Sequence, residues 1–341
     1  MFRTFVSMSL FGLLLFSGPA GAGEFSGPVF GIATAPNGDI LAADAGAGVV
    51  EFDGDVHLIK SLPGVTDISP IGRSSIWATR TGTHPAGETD TGQSVLRISN
   101  GNVRMLANLF QFEVANNPHP ANGVPASNPF DIFALGGGAA LVADAAANDL
   151  LWVSDEGQVE VVAVFPNELV STANIKALVG CPNPNIGFCF LPDAMPAQPV
   201  PTSIAVGPGG YIYVGELKGF PAPLNESRIW RIAPGASWAE CGSSPDCEIV
   251  FDGGFTSIID LAFGPEGLLY VVELDELSWF AMDNGLGAGG TINACDLDTL
   301  DCVEVAGDIP SVTAITFGKD GTLWSTWKGT IPGEAMIVEV P

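Results

Sequence analysis

The sequence predicts an all-β protein, a six-bladed β-propeller of four-stranded antiparallel blades, and three observations predict it. A nine-residue phrase that opens on a turn and climbs into an apolar strand recurs six times. Its copies are PNGDILAAD (36–44), GRSSIWATR (72–80), GGGAALVAD (136–144), PGGYIYVGE (208–216), PEGLLYVVE (265–273) and KDGTLWSTW (319–327). A second apolar strand precedes each copy, always with Ile or Leu at its second position: GIATA (31–35), DISPI (67–71), DIFAL (131–135), SIAVG (203–207), DLAFG (260–264) and AITFG (314–318). Helical periodicity is nearly absent beyond residue 22, and two further strands fill most repeats instead.

The turn joining the first two strands carries Gly at its third residue in five copies: Gly38, Gly138, Gly210, Gly267 and Gly321. A positive φ in a tight hairpin explains that choice. Ser74 takes the place in blade two, so a different turn is expected there. The later strands, such as GVVEF then VHLIK, are joined by DGD (53–55), NGN (100–102) and DEGQ (155–158), again hairpin chemistry. The blades span 30–64, 65–109, 129–166, 201–255, 256–309 and 310–341. Blade six runs out after its third strand, MIVEV (336–340), so residues 24–29 are expected to supply its outer strand.

Residues 1–22 read as a secretory signal: Arg3, an apolar run over 8–16, and Ala20-Gly21-Ala22 before Gly23. Residues 23–341 then form one propeller domain, long enough to bury an ample core. The run is short for a membrane span, so an exported chain, secreted or periplasmic and not inserted in membrane, is expected. Lys plus Arg number 12 against 38 Asp plus Glu, a formal net charge of −26, which repels phosphate backbones and argues against nucleic acid. The six cysteines fall into three local pairs, Cys181/Cys189, Cys241/Cys247 and Cys295/Cys302. Nearest-neighbour disulfides are the natural reading, because zinc usually takes closer spacing and a second ligand pair.

Blade geometry sorts the loops. Connections between strands two and three, and between blades, share one face, and most long insertions lie there: 80–93, 110–128, 167–200, 216–227 and 274–290. The 233–247 loop is the main exception. Long loops on a rigid scaffold commonly carry function, so this face is the candidate working surface.

Asp44, Asp144, Glu216 and Glu273 end the second strand on that face, as a ring of channel-mouth acids. Because they repeat by position, acceptance of backbone N–H bonds explains them better than a site does. Asp67, Asp131 and Asp260 begin innermost strands where other blades have Gly31, Ser203 and Ala314. They either bond the start of a strand or hold a divalent ion such as Ca²⁺, the one cofactor this pattern suggests. Arg80 and Trp327 interrupt the run of acids and mark the binding face, with neighbour pairing and packing as their ordinary roles. Of the three histidines, His57 sits beside a turn, whereas His84 and His119 lie in working-face loops and could bind metal or act as bases. GLGAGG (285–290) lacks any βαβ context and reads as a loop, and Asn225-Glu226-Ser227 is a glycosylation sequon.

Three stretches resemble the ScyD/ScyE family of exported NHL-like propellers: NNPHPANGVPASNPFDI (116–132), VPTSIAVGPGGYIYVGELKGFPAP (200–223) and FTSIIDLAFGPEGLLYVVEL (255–274). The resemblance spans about residues 30–341 and implies a secreted six-bladed propeller. Its genes accompany scytonemin biosynthesis, and it carries over no catalytic residues. The cysteine pairs and the short start before blade one depart from its pattern. Lacking any nucleophile–base motif, the chain is expected to be a monomeric binding module for a small molecule or protein. The alternative is a metal-dependent hydrolase resembling gluconolactonase-type propellers, with Asp67, Asp131 and Asp260 converging, aided by Glu216, Glu273 or His119.

Overall fold

A computed structural model describes residues 24–72, 75–82, 92–120 and 123–341. The leader at 1–22, Ser74, His84 and most of the 80–93 insertion lie outside the described residues. The remainder is the expected six-bladed propeller. Its innermost strands are Val29–Thr34, Val65–Gly72, Pro129–Ala134, Pro201–Val206, Ile258–Phe263 and Ile315–Phe317. The second strands are Ile40–Asp44, Ser75–Arg80, Ala139–Asp144, Ile212–Glu216, Leu269–Glu273 and Leu323–Trp327, each antiparallel to its predecessor. The second strands are mostly buried because neighbouring blades cover them on both faces, whereas the innermost strands are buried where they begin and half-buried further along the channel. The turn glycines take positive φ where expected, except in blade three, where Gly136 rather than Gly138 does so.

Two blades depart from four strands. Blade six has three, ending on Met336–Glu339, and residues 24–28 form no strand beside it. The expected strand closure is therefore corrected: Val29 donates to the Gly329 carbonyl at 2.8 Å, and Phe25 packs with Ala314, Ala335 and Ile337. Asp44 accepts from the Ser26 and Gly27 N–H groups at 2.7 and 2.8 Å. Blade three instead gains a fifth strand. The 233–247 loop of blade four lays Ala239–Glu240 parallel to Val159–Val164, with Trp238 and Cys241 N–H bonded to the Val161 and Val164 carbonyls. That loop thus covers a sheet edge.

Three short helices, Leu109–Asn116, Ala173–Leu178 and Trp279–Asp283, sit in the long insertions, where no helical period announced them. No described helix is long and apolar enough to cross a membrane. All three expected disulfides are formed: Cys181–Cys189, Cys241–Cys247 and Cys295–Cys302. Their settings differ. Cys295 is buried, whereas Cys302 alone of the six cysteines is exposed. The two face each other directly across the paired strands Gly290–Cys295 and Cys302–Ile309, so this bond closes the outer hairpin of blade five. Cys241–Cys247 secures the strand-donating loop. Replacing that pair with Ala is expected to cost about 2–2.5 kcal/mol by loop entropy, read as a lower denaturant midpoint. An unchanged midpoint would mean that the packing of the loop on blade three suffices.

Candidate functional site

The innermost strands surround an axial cavity of about 330 Å³. Five of them start at the loop-rich face with a bulge, at Phe30, Thr66, Phe130, Thr202 and Ile259. A bulge re-aims one side chain, and the outcome alternates by blade. Phe30, Phe130 and Ile259 share one apolar cluster, with the Phe30 and Phe130 rings 5.6 Å apart, so an aromatic plug crosses this end of the channel. Thr66 and Thr202, with Thr313 of blade six, turn sideways. Their hydroxyls donate to the Pro129, Ile258 and Val29 carbonyls of the next blade, at 2.7, 2.7 and 2.5 Å.

Asp67, Asp131 and Asp260 line the channel behind the plug and are the titratable residues lining it. Each accepts from the backbone N–H of the next blade's innermost strand: Asp67 from Ile132 at 3.0 Å, Asp131 from Ile204 at 2.5 Å, and Asp260 from Ile315 at 2.7 Å. The Asp67 and Asp131 carboxyls also act on one another, and each side chain faces the other's charge in the buried channel. Burial raises all three above the usual carboxylate range, Asp260 to about 8, and the neighbouring acids push Asp131 higher still. Gly31, the position of blade one equivalent to these acids, is where Asp67 fits: a Cβ there would stand 1.8 Å from the Asp67 Oδ1.

Each carboxyl thus has one oxygen engaged by a strand N–H group of the next blade. Among the described residues, no three His, Cys, Asp or Glu side chains are grouped to hold a metal ion. The carboxylate oxygens face strand N–H groups and one another, so the expected divalent site finds no ligand set. No step is derived through a metal.

The four acids that end second strands are buried and absent from the channel lining. Asp44 and Asp144 do the same work: each accepts from the connection before the innermost strand (Gly27 at 2.8 Å, Asn128 at 2.6 Å) and from the loop after itself (Gly46 at 2.8 Å, Ala146 at 3.2 Å). Glu273 accepts from Thr256 N–H at 2.5 Å and from the Asn293 amide at 2.8 Å, and burial lifts it to about 7. Glu216 accepts from the Trp230 indole at 2.6 Å and pairs with Lys218 Nζ at 2.5 Å. Arg80 is half-buried at its strand end, His119 is half-buried in its loop, and Trp327 is exposed. His57 is exposed and pairs with Asp53. Cys302 belongs to neither the channel nor the loop-rich face: it opens the outermost strand of blade five, at a turn on the opposite face, and its role is confined to the bond with Cys295.

Sequence reasoning passed over two buried clusters. Lys218, fully buried, is clasped by Glu216 and Glu168, and Arg228 joins Glu168 to Asp252. The i, i+2 spacing of Glu216 and Lys218 was legible, but Glu168 arrives from an insertion 50 residues away. Glu113, on the helix leading into blade three, meets Asp149; burial and the nearby Asp144 raise Glu113 to about 9.

The insertions are joined into one surface. The Asn174 amide donates to the carbonyls of Ala222 and Leu277 at 2.7 and 3.3 Å, linking three separate loops. Trp279 Nε1 donates to the Lys218 carbonyl at 3.0 Å, and Ser171 N–H to Glu226 at 3.1 Å.

No protein-family model and no curated protein matches the chain. Its fold resembles that of several solved propellers. Virginiamycin B lyase from Staphylococcus aureus aligns over 93% of this chain and 85% of its own, at 16% identity and TM-score 0.52. A gluconolactonase from Xanthomonas campestris aligns over 94% and 88%, at 11% identity and TM-score 0.56. The soluble aldose sugar dehydrogenase of Escherichia coli aligns over 94% and 97%, at 12% identity and TM-score 0.56. At such identities the likeness establishes the fold.

Two outcomes follow from the channel. Gly31→Ala forces a methyl group against Asp67, and overpacking of this kind costs about 1–3 kcal/mol; thermal denaturation should show the loss. The raised carboxyls bind protons more tightly in the folded chain than in the unfolded one. Their stabilisation is therefore complete below the ordinary carboxylate range and is lost as pH rises through about 7 for Glu273, 8 for Asp260 and 9 for Glu113. Denaturant midpoints should fall steadily between about pH 5 and pH 9, and a rise over that window would contradict the assignment.

Proposed function

We propose that this chain is an exported, monomeric binding or scaffold propeller of the ScyD/ScyE type, engaging a small molecule or protein through its loop-rich face without catalysis. One observation carries this reading: insertions from blades three, four and five are bonded to each other through Asn174 into a continuous surface. The channel acids, by contrast, are committed to joining blades. Three disulfides fit an oxidising compartment outside the cytoplasm.

The hydrolase reading is supported by a different observation, the three carboxyls facing one cavity. It requires a divalent ion, which in such enzymes polarises a carbonyl and activates water, and it requires the acids to leave their backbone partners. Elemental analysis of the purified protein together with lactone turnover tests it. A bound divalent ion with turnover that Asp260→Asn abolishes would favour the enzyme.

For the binding reading, immobilised protein is exposed to secreted metabolites and proteins. A variant carrying Leu169→Asp, Phe190→Asp, Leu277→Asp and Trp327→Asp should lose at least about tenfold of what the wild type retains, a loss of about 1.4 kcal/mol. Asp260→Asn should retain it. Retention indifferent to all four face substitutions would overturn the proposal.

A further inference from the structure

The loop-rich face carries an apolar cluster. Phe188 is centred 5.7 Å from the Phe220 ring and 5.9 Å from the Phe280 ring. Phe280 in turn meets the buried Trp279 at 6.0 Å, so the stack is rooted in the largest apolar core of the molecule. Cys181–Cys189 ties the segment that presents Phe188. On the insertions that supply this stack and its neighbours, Leu169 and Phe190 are each 73% exposed, and Leu277 is 36% exposed. Side chains so exposed project outward instead of lining a cleft, which suits a contact with another macromolecule better than a small-molecule pocket. Water-exposed aromatic groups held on a rigid base are the usual anchors of such contacts.

Charge narrows the partner. Glu276 and Asp283, on the same insertion as Leu277 and Phe280, are exposed. The cations nearby are already engaged: Lys176 pairs with Asp193, Lys218 is buried between Glu216 and Glu168, and Arg228 pairs with Glu168 and Asp252. The rim is therefore negative, on a chain whose formal net charge is −26. A partner must bring apolar groups for the centre and cations for the rim.

We propose that Leu169, Phe188, Phe190 and Leu277 form the docking site for a basic, apolar-tipped segment of a partner protein. The inference rests on the loop-face reading above and assigns that face its partner class.

Fluorescence anisotropy tests it with a labelled amphipathic peptide of Leu and Lys, alongside a Leu and Glu counterpart, at about 0.15 M salt. The wild type should bind the first peptide and not the second. Phe190→Asp adds a negative charge, so purely electrostatic attraction would tighten binding, whereas apolar docking predicts weakening by about tenfold or more. Phe190 is exposed, and an unchanged melting temperature confirms that the variant is folded. Binding that is unaltered or tighter in Phe190→Asp overturns the proposal, as does equal binding of both peptides. If the Leu and Lys peptide fails to bind while the four-substitution variant still loses its retained ligand, the partner class is wrong and the loop-face reading stands. If both fail, both are wrong.

Discussion

Neighbouring blades of a propeller do not continue one another's backbone ladder, so the N–H and C=O groups on the inner edge of each innermost strand need other partners. Leaving one such buried group unpaired costs about 1–3 kcal/mol. Here the partners are side chains reaching from one blade to the next. Asp67, Asp131 and Asp260 take N–H groups of blades three, four and six, while Thr202 and Thr313 give hydroxyl protons to carbonyls of blades five and one. The junction from blade one to blade two works differently, by the close approach of Asp67 to Gly31. The ring is thus held at its axis by a small set of polar side chains, each with a specific backbone target.

That arrangement shapes what the rest of the molecule can do. Three carboxyls around one channel would repel if all were ionised, and burial together with this repulsion raises them above the usual carboxylate range. The acids meet the structural need at the expense of the lone pairs a metal would use. The Phe30 and Phe130 rings pack together where the innermost strands of blades one and three begin, so the loop-rich end of the channel is apolar while the acids line it further in.

Much of this was legible in the residues. The repeated phrase placed every second strand, and the recurrence of Asp44 and Asp144 suggested framework acids; both accept nearby backbone N–H groups. The cysteine spacing gave all three pairs, though not that Cys302 would stand exposed at the edge of blade five while Cys295 is buried. The irregular acids at Asp67, Asp131 and Asp260 were also legible as special, because Gly31, Ser203 and Ala314 break the pattern. What they bond to was not, since Ile132, Ile204 and Ile315 lie 65, 73 and 55 residues away and become neighbours only when the ring closes. The helices escaped for a different reason. Leu109–Asn116, at eight residues, is too short to show a period, and Asn108 caps it through its side chain. The burial of Lys218 followed from the insertion that delivers Glu168, which no local pattern encodes.

Ring closure shows how a repeat can be satisfied without repeating its form. In blade three, Asp144 clamps Ser127 and Asn128, the connection that delivers the innermost strand from the preceding blade. In blade one, Asp44 likewise clamps Ser26 and Gly27, the residues just before the innermost strand. The residues before blade one therefore act as an inter-blade connection, and as such they must cross the loop-rich end of the blade six–blade one junction. Among the described residues the ring closes through this clamp, the Val29–Gly329 bond and the packing of Phe25 on blade six, with no fourth strand there.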